Sequence, residues 1–231
     1  MTRASISDDQ AQLYFERADE YDELVSAEDA DDNLRRSLRA TLPPGTIADI
    51  GAGTGRIARL LAGHAERFVL VERAAPMLAI AETRLRALDL AFEAHCADAR
   101  ELPLANQSVD AAVAGWVFGH FRYWMPAGWQ DEVDAALEEI HRVVRPGGSL
   151  TIIETLGTGY EEPRTHAALD EYFAHLEGQG FAREWVRTDY LFPTVEAAAR
   201  VLGGFFGAEM ADEIRQRGSA RVPECTGIWR R

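Results

Sequence analysis

The sequence contains no lysine, because all 24 basic residues of the 231-residue chain are arginine. A mechanism that forms a Schiff base on lysine is therefore excluded. Cysteine is also scarce, and neither Cys96 nor Cys225 lies in a CxxC or Cys/His cluster, so we expect no disulfide framework. No signal peptide is recognisable and no apolar run reaches the length of a transmembrane helix, so we expect a cytoplasmic protein without a membrane partner.

Acidic residues outnumber basic residues by 38 to 24, and the formal net charge is −14. The first 33 residues alone hold eleven acids against Arg3 and Arg17. This balance argues against nucleic acid as a partner, while a small anionic substrate held by a few arginines remains open. The length and the 47% hydrophobic content indicate a single domain over residues 1–231.

Strands and helices alternate from residue 46 onward. Apolar runs predict strands at 46–50, 67–71, 91–95, 109–114 and 149–153. Helical spacing predicts helices between them at 56–64, 76–88 and 129–145, with a looser segment at 99–108. The flanking predictions are helices at 8–25, 33–42 and 164–178, an extended segment at 182–192, helical residues 194–216 and a strand at 224–230. This alternation predicts an α/β fold with a parallel sheet and helices on both faces.

The chain is organised around residues 46–56, TIADIGAGTGR. A glycine-rich turn between a buried strand and a helix lets a ligand approach bare backbone beside the amides of a helix N-terminus. Glu72 ends the next apolar run, 21 residues after Gly51, where a carboxylate can accept hydrogen bonds from a ribose diol. An ordinary turn followed by a solvated Glu72 is the alternative. Arg56 stands where the dinucleotide pattern GxGxxG has its last glycine, so the pattern present is GxGxG preceded by Asp49.

With these residues the chain resembles the class I S-adenosylmethionine-dependent methyltransferases of the small-molecule type (type 11/25-like). The motifs are DIGAGTGR (49–56), LVE (70–72), CADARELPLANQSVDAAVAGWVFGHF (96–121) and HRVVRPGGSL (141–150). The resemblance covers about residues 10–155. It implies a Rossmann-like fold with a seven-stranded, mostly parallel sheet of order 3-2-1-4-5-7-6. It also implies a helical lid at 1–42, a cofactor-binding core at 43–155 and a variable part at 156–231 that completes the sheet.

The resemblance implies S-adenosyl-L-methionine as cofactor and S-adenosyl-L-homocysteine as product. Glu72 is expected to bind the ribose hydroxyls, Asp98 the adenine amino group, and the Ala99 amide a ring nitrogen. A helix cap at Asp98 and an ordinary buried aromatic at Trp116 are the alternatives. The complete implied cofactor set is Tyr14, Tyr21, Gly51, Ala52, Gly53, Glu72, Arg73, Met77, Asp98, Ala99, Gly115 and Trp116.

For the methyl acceptor, His120 is the candidate general base, because it follows the fourth strand closely and its ordinary pKa is near neutral. A structural histidine is the alternative. The candidate substrate-binding residues are His120, Tyr123, Trp124 and Arg187, with further contacts expected from the segment after the fifth strand, which begins at Glu154. The aromatic loop 116–126 is either a flat-walled pocket or a packed lid. An acidic substrate could be clamped by Arg122, Arg164 and Arg187, unless these are ordinary surface arginines.

Three subclasses are disfavoured. Neither Asn-Pro-Pro-Tyr nor Asp-Pro-Pro-Tyr, the tetrapeptides that mark methylation of amino groups in bases and some glutamines, follows the fourth strand. No acids stand at metal-ligand spacing, which disfavours a Mg²⁺-dependent catechol-type site. Neither cysteine lies in a loop suited to a cysteine nucleophile for ring methylation. We therefore expect no metal and a transfer of methyl to an O or N atom of a small metabolite by a monomer or homodimer. The alternatives are a non-catalytic S-adenosylmethionine-binding protein and, less favoured because of Arg56, an NAD-dependent oxidoreductase.

Overall fold

The computed structural model describes residues 17–231, in which a seven-stranded sheet has the order β3-β2-β1-β4-β5-β9-β6. The strands are β1 (Thr46–Ile50), β2 (Arg67–Glu72), β3 (Phe92–Cys96), β4 (Val109–Gly115), β5 (Val144–Thr158), β6 (Ala182–Arg187), β7 (Tyr190–Leu191), β8 (Arg221–Val222) and β9 (Glu224–Arg230). β1 to β5 pair in parallel, and β9 runs antiparallel between β5 and β6. β7 and β8 form a separate two-stranded ribbon, so counting only the strands of the main sheet gives the implied order 3-2-1-4-5-7-6.

The helices cover both faces of this sheet, as predicted. They are α1 (Ala18–Ser26), α2 (Asn33–Thr41), α3 (Arg56–Leu60), α4 (Ala75–Ala87), α5 (Gly119–Trp124), α6 (Trp129–Val143), α7 (Ala167–Gly178), α8 (Val195–Phe206) and α9 (Ala208–Arg217). β4 shows how the faces divide: Ala112 and Ala114 pack with α6 and α7, whereas Ala111 and Val113 pack with α2, α3 and α4. This alternation follows from the two-residue period of a strand, and it buries small apolar side chains on both sides.

Several predicted boundaries are wrong. The helix predicted at 56–64 ends at Leu60, and the strand predicted at 149–153 extends over Val144–Thr158 because it pairs with β4 on one side and β9 on the other. The helical stretch 194–216 is divided at Gly207, whose φ of 99° is outside the helical range. Residues 182–192 form two strands instead of one extended segment. The predicted helix at 8–25 is described only from Ala18.

A third apolar cluster lies under α8, α9 and the β7–β8 ribbon, where Leu24 of α1 packs with Tyr190, Phe192 and Leu202. α1 therefore connects the C-terminal helices to the sheet. No helix within residues 17–231 is long and apolar enough to cross a membrane.

Candidate cofactor and acceptor sites

The glycine turn is held at the carboxyl end of β1. The amides of Gly51 and Ala52 both donate to the carbonyl of Val71 in β2, at 2.7 and 3.0 Å. Gly51 has a φ of +68°, and a Cβ at this position would lie 2.3 Å from Cγ2 of Val117. Glycine is therefore required here by backbone conformation and by space. Asp49 accepts a hydrogen bond from the Ala58 amide, which ties β1 to the first turn of α3.

Glu72 closes the turn from the neighbouring strand. Its Oε2 accepts from the Gly53 amide at 3.0 Å and its Oε1 accepts from the Ala74 amide at 2.7 Å. The side chain is almost fully buried. Burial raises the pKa of Glu72 above its ordinary value, and the amide donors limit that rise. The carboxylate is thus fixed at the sheet edge, with lone pairs left on each oxygen for a ligand diol.

Asp98 lies just beyond β3, at the next position along the same edge. Its two oxygens form a bidentate pair with Arg100, with distances of 2.8 and 2.7 Å, and Oδ1 also accepts from the Arg100 amide. Burial alone would raise the pKa of Asp98, but the hydrogen bonds from Arg100 outweigh it and hold the pKa below its ordinary range. The carboxylate is therefore charged and oriented. The amide contact also supports the capping alternative.

The three strand ends open onto a cleft whose volume, with the open solvent at its mouth included, is about 790 Å³. The register explains why they meet, since Ile50 pairs with both Val71 and Ala114 and the parallel strands end at one edge. Of the predicted cofactor residues, ten line the cleft: Tyr21, Gly51, Gly53, Glu72, Arg73, Met77, Asp98, Ala99, Gly115 and Trp116. It is also lined by His120 and Trp124 from the predicted substrate set.

The remaining predicted residues lie elsewhere. Ala52 is buried in the turn and contributes its amide to β2 instead of lining the cleft. Tyr14 lies outside the described residues. Tyr123 lines a second cavity and is half exposed. Arg187 is not brought to either cavity, because its guanidinium is paired with Asp189 two residues later, at 2.8 and 2.9 Å.

The second cavity, of about 910 Å³ with the open solvent at its mouth included, adjoins the first and shares Tyr21, Trp116 and His120 with it. Its walls come from α1, α3, α5, α7, α8, β5, β7 and β9. Glu154, Thr155 and Tyr123, all expected near the acceptor, line this cavity. Glu154 and Thr155 belong to the extended β5 instead of to a loop after it. The cofactor cleft and the second cavity thus meet at the side chains of Tyr21, Trp116 and His120.

Trp116 stands at this junction in a left-handed backbone conformation, with a φ of 56°. The guanidinium of Arg56 lies 3.5 Å from the centre of its ring. Arg56 also forms a buried ion pair of 2.5 Å with Glu28. The arginine that replaces the dinucleotide glycine therefore fixes the wall between the two cavities through a cation–π contact and an ion pair.

His120 is placed by α5 and its ring stacks on Trp124 at 4.7 Å between centroids. Its Nδ1 lies 3.3 Å from the carbonyl of Val117. Burial lowers the pKa of His120, and the backbone contacts oppose that change in part. The imidazole is therefore neutral at pH 7, which is the form required of a general base.

The sequence did not single out Glu28 or Glu224, which also line the second cavity, whereas Tyr190, another lining residue, lies in the segment 185–192 from which substrate contacts were expected. Glu224 begins the strand ECTGIWR, and the structure shows it to be 1% exposed. A charged residue at the start of a buried strand indicates a polar site. Glu28 had no comparable signal within the acidic N-terminal region. Within residues 17–231, no group of three His, Cys, Asp or Glu is arranged to hold a metal ion.

The sequence profile of the family described as "Methyltransferase domain" matches residues 48–152. The C-methyltransferase of ubiquinone/menaquinone biosynthesis from Rubrivivax gelatinosus is 32% identical over 122 residues, covering 52% of this chain and 44% of that protein. The malonyl-[acyl-carrier protein] O-methyltransferase of Methylococcus capsulatus is 36% identical over 165 residues, covering 61% of this chain and 53% of that protein. The chain thus spans about half the length of these two curated relatives.

Among solved structures, the [4+2]-cyclase SpnF superposes with a TM-score of 0.63 at 18% identity, covering 98% of this chain and 96% of that one. At that identity the likeness shows the fold alone. The sequence matches and the fold together establish that this chain carries a class I S-adenosylmethionine-dependent methyltransferase domain. S-adenosyl-L-methionine is the cofactor of that family.

Proposed function

We propose that this chain transfers a methyl group from S-adenosylmethionine to an O or N atom of a small molecule bound in the second cavity. The observation that carries the proposal is the meeting of the two cavities at Tyr21, Trp116 and His120. When bound, the cofactor supplies a methyl group already activated on a sulfonium, so the protein's task is to hold an acceptor atom in line with it.

The cleft residues fit the cofactor. Gly53 leaves its backbone open between Met77 and Tyr21, where a Cβ would sit 3.4 and 3.5 Å from their side chains. Glu72 supports the ribose assignment because each of its oxygens already has one amide donor and keeps room for a hydroxyl. We assign Asp98 to the adenine amino group and Gly115 and Trp116 to the amino acid end, as the resemblance implies.

His120 is proposed as the base that takes the acceptor's proton. It lines both cavities, and its lowered pKa keeps it unprotonated at pH 7. Tyr123 and Trp124 are proposed acceptor contacts. Arg187 is no longer among them, since Asp189 and the backbone of Glu161 occupy its guanidinium.

We also propose the domain division expected from the sequence: residues 1–42 as lid, 43–155 as cofactor-binding core and 156–231 as the acceptor-specific part. The family profile supports this division, because its match ends at residue 152. Tyr190 and Glu224 of the second cavity lie in the part from 156 onward, whereas Glu154 lies at the end of the core.

Calorimetry with S-adenosylhomocysteine tests the first half of the proposal, and absence of binding heat would refute it. Methyl transfer is then measured by mass spectrometry over a panel of amines, phenols, carboxylic acids and quinols. Product methylated on oxygen or nitrogen is expected, whereas a product methylated only on carbon would contradict the atom assignment. Cofactor binding without turnover over the whole panel would favour a non-catalytic binding protein. A thermal shift with NAD but not with S-adenosylmethionine would favour an oxidoreductase.

A further inference from the structure

Acidic side chains outnumber basic ones around the second cavity. Three carboxyl groups line it, on Glu28, Glu154 and Glu224, against the single guanidinium of Arg56. Arg56 is committed to Glu28 by the buried ion pair of 2.5 Å. In the described part of the chain, neither Glu154 nor Glu224 forms a salt bridge within 4 Å.

Glu224 leaves one carboxyl oxygen unused. Oε1 accepts from the Thr155 hydroxyl at 2.6 Å. Oε2 is buried and has no hydrogen-bond partner of normal geometry among residues 17–231. A buried acceptor without a donor is costly, so such an atom beside a cavity marks a place where a ligand donor would be stabilising. Burial, followed by the nearby charge of Glu28, raises the pKa of Glu224 to about 8, while hydrogen bonds from Thr155 and Thr158 and the charge of Arg56 oppose the rise.

Glu154 adds a second acid to the same cavity. Its Oε1 accepts from the Gly119 amide at 2.9 Å and from the Tyr172 hydroxyl at 3.1 Å. These neutral donors fix the carboxyl group but supply no positive charge. Burial raises the pKa of Glu154 to about 7. A cation bound in the cavity would therefore stabilise the ionised forms of Glu154 and Glu224.

The other walls are apolar. Leu24, Val25 and Leu169 line the cavity together with Phe205 and Phe206. Phe205 packs edge-on against Tyr21, with ring centroids 6.3 Å apart, so this apolar wall reaches the junction with the cofactor cleft. An acceptor that fits has an apolar body as well as its charged group.

The arginines expected to clamp an acidic substrate are engaged elsewhere. Arg122 pairs with Glu171 at 2.7 Å, Arg187 with Asp189, and the guanidinium of Arg164 lies over the ring of Tyr160. None of the three lines the second cavity. Resting on the proposed function, we propose that the second cavity binds an acceptor with an apolar body and a protonated amine, whose N–H group donates to Oε2 of Glu224.

The test uses protein saturated with S-adenosylhomocysteine and three probes of equal chain length: hexylamine, 1-hexanol and hexanoate. Dissociation constants come from calorimetry at pH 9, above the pKa of about 8 of Glu224, where its carboxyl group is ionised and an alkylamine is still protonated. Hexylamine is expected to bind at least about tenfold more tightly than the alcohol, since an ion pair with a desolvated carboxylate adds to the same apolar contacts. Hexanoate is expected to bind more weakly than the alcohol.

Glu224→Gln keeps the shape of the side chain and removes its charge, so the preference for amine over alcohol is expected to fall to about twofold or less. S-adenosylhomocysteine affinity should stay unchanged, because Glu224 does not line the cofactor cleft. Glu196→Gln is the matched control, since this acid is 72% exposed and pairs with Arg215 outside the cavity. If Glu224→Gln does not fold, Glu224→Asp, which withdraws the carboxylate, should also lower the preference.

Equal binding of amine and alcohol by the wild type, tighter binding of hexanoate, or an unchanged preference in folded Glu224→Gln would each overturn this inference. The wild-type comparison needs no variant. Loss of S-adenosylhomocysteine binding would instead refute the proposed function. Normal cofactor binding without amine preference would refute only the choice of acceptor class.

Discussion

Glu72→Gln is the perturbation that tests the cofactor site most directly. In the wild type, Oε2 accepts from the Gly53 amide and Oε1 accepts from the Ala74 amide, with a further backbone contact from Arg73, and we assign the remaining acceptor capacity to the ribose diol. Glutamine keeps one carbonyl oxygen, but its NH₂ group faces a backbone N–H and cannot accept. One ribose hydroxyl therefore loses its acceptor, and the other loses the assistance of a charge.

A hydrogen bond to a charged group contributes about 1.5 to 3 kcal/mol, so we expect the variant to lose about 2 to 3 kcal/mol of cofactor binding. This corresponds to a dissociation constant roughly 30- to 150-fold higher. Calorimetry with S-adenosylhomocysteine measures it, and urea unfolding of the apo protein separates the effect from loss of structure.

Glu82→Gln is the control, because this acid lies on α4 and pairs with Arg86 away from the cleft. Its affinity should equal that of the wild type. Wild-type affinity in a folded Glu72→Gln protein would refute the ribose assignment. An equal loss in the Glu82 variant would show that the effect is not specific to the site.

Three further predictions concern the turn, the acceptor cavity and the base. Gly51→Ala should cost about 2 kcal/mol more in urea unfolding than Gly63→Ala, because both have positive φ but only the first Cβ meets Val117; equal losses would contradict the packing argument. The pKa of Glu154 in the folded protein, about 7, exceeds its ordinary 4.5, so its stabilising contribution is complete below pH 4.5 and declines up to pH 7. The wild type should thus lose about 3 kcal/mol relative to Glu154→Gln across that range, and parallel pH profiles would show that the group titrates normally. His120→Gln should lower turnover at least about 100-fold with little change in S-adenosylhomocysteine affinity, and an unaltered rate would return His120 to a structural role.

The cofactor cleft could be predicted from sequence because its parts are local. A glycine turn must follow a buried strand, and Glu72 and Asp98 mark the ends of the next two strands in the parallel part of the sheet. Parallel pairing then brings the three ends to one edge without further information. The family profile and the sheet order confirm the class and the fold predicted in this way.

The second cavity could not be predicted in the same way. Glu28 and Glu224 are far apart in sequence, and Glu224 reaches the cavity because β9 inserts between β5 and β6. Arg187 shows the opposite difficulty, since its partner Asp189 was visible two residues away. The arginine side chain and its place in the extended segment 182–192 suggested a clamp, whereas the structure pairs its guanidinium with Asp189. The bounds of β5 could not be predicted either, because its length depends on pairing with β4 on one side and β9 on the other.

The position of β9 also has a consequence for the order in which the molecule assembles. In the described sheet β6 pairs only with β9, so β6 cannot join before β9 has docked against β5. The parallel strands β1 to β5 have no such dependence on a distant segment, and contacts of long sequence separation form slowly. We therefore expect folding kinetics to show that the S-adenosylmethionine cleft forms first. The cavity containing Glu224 is completed last, by the strand that carries this residue.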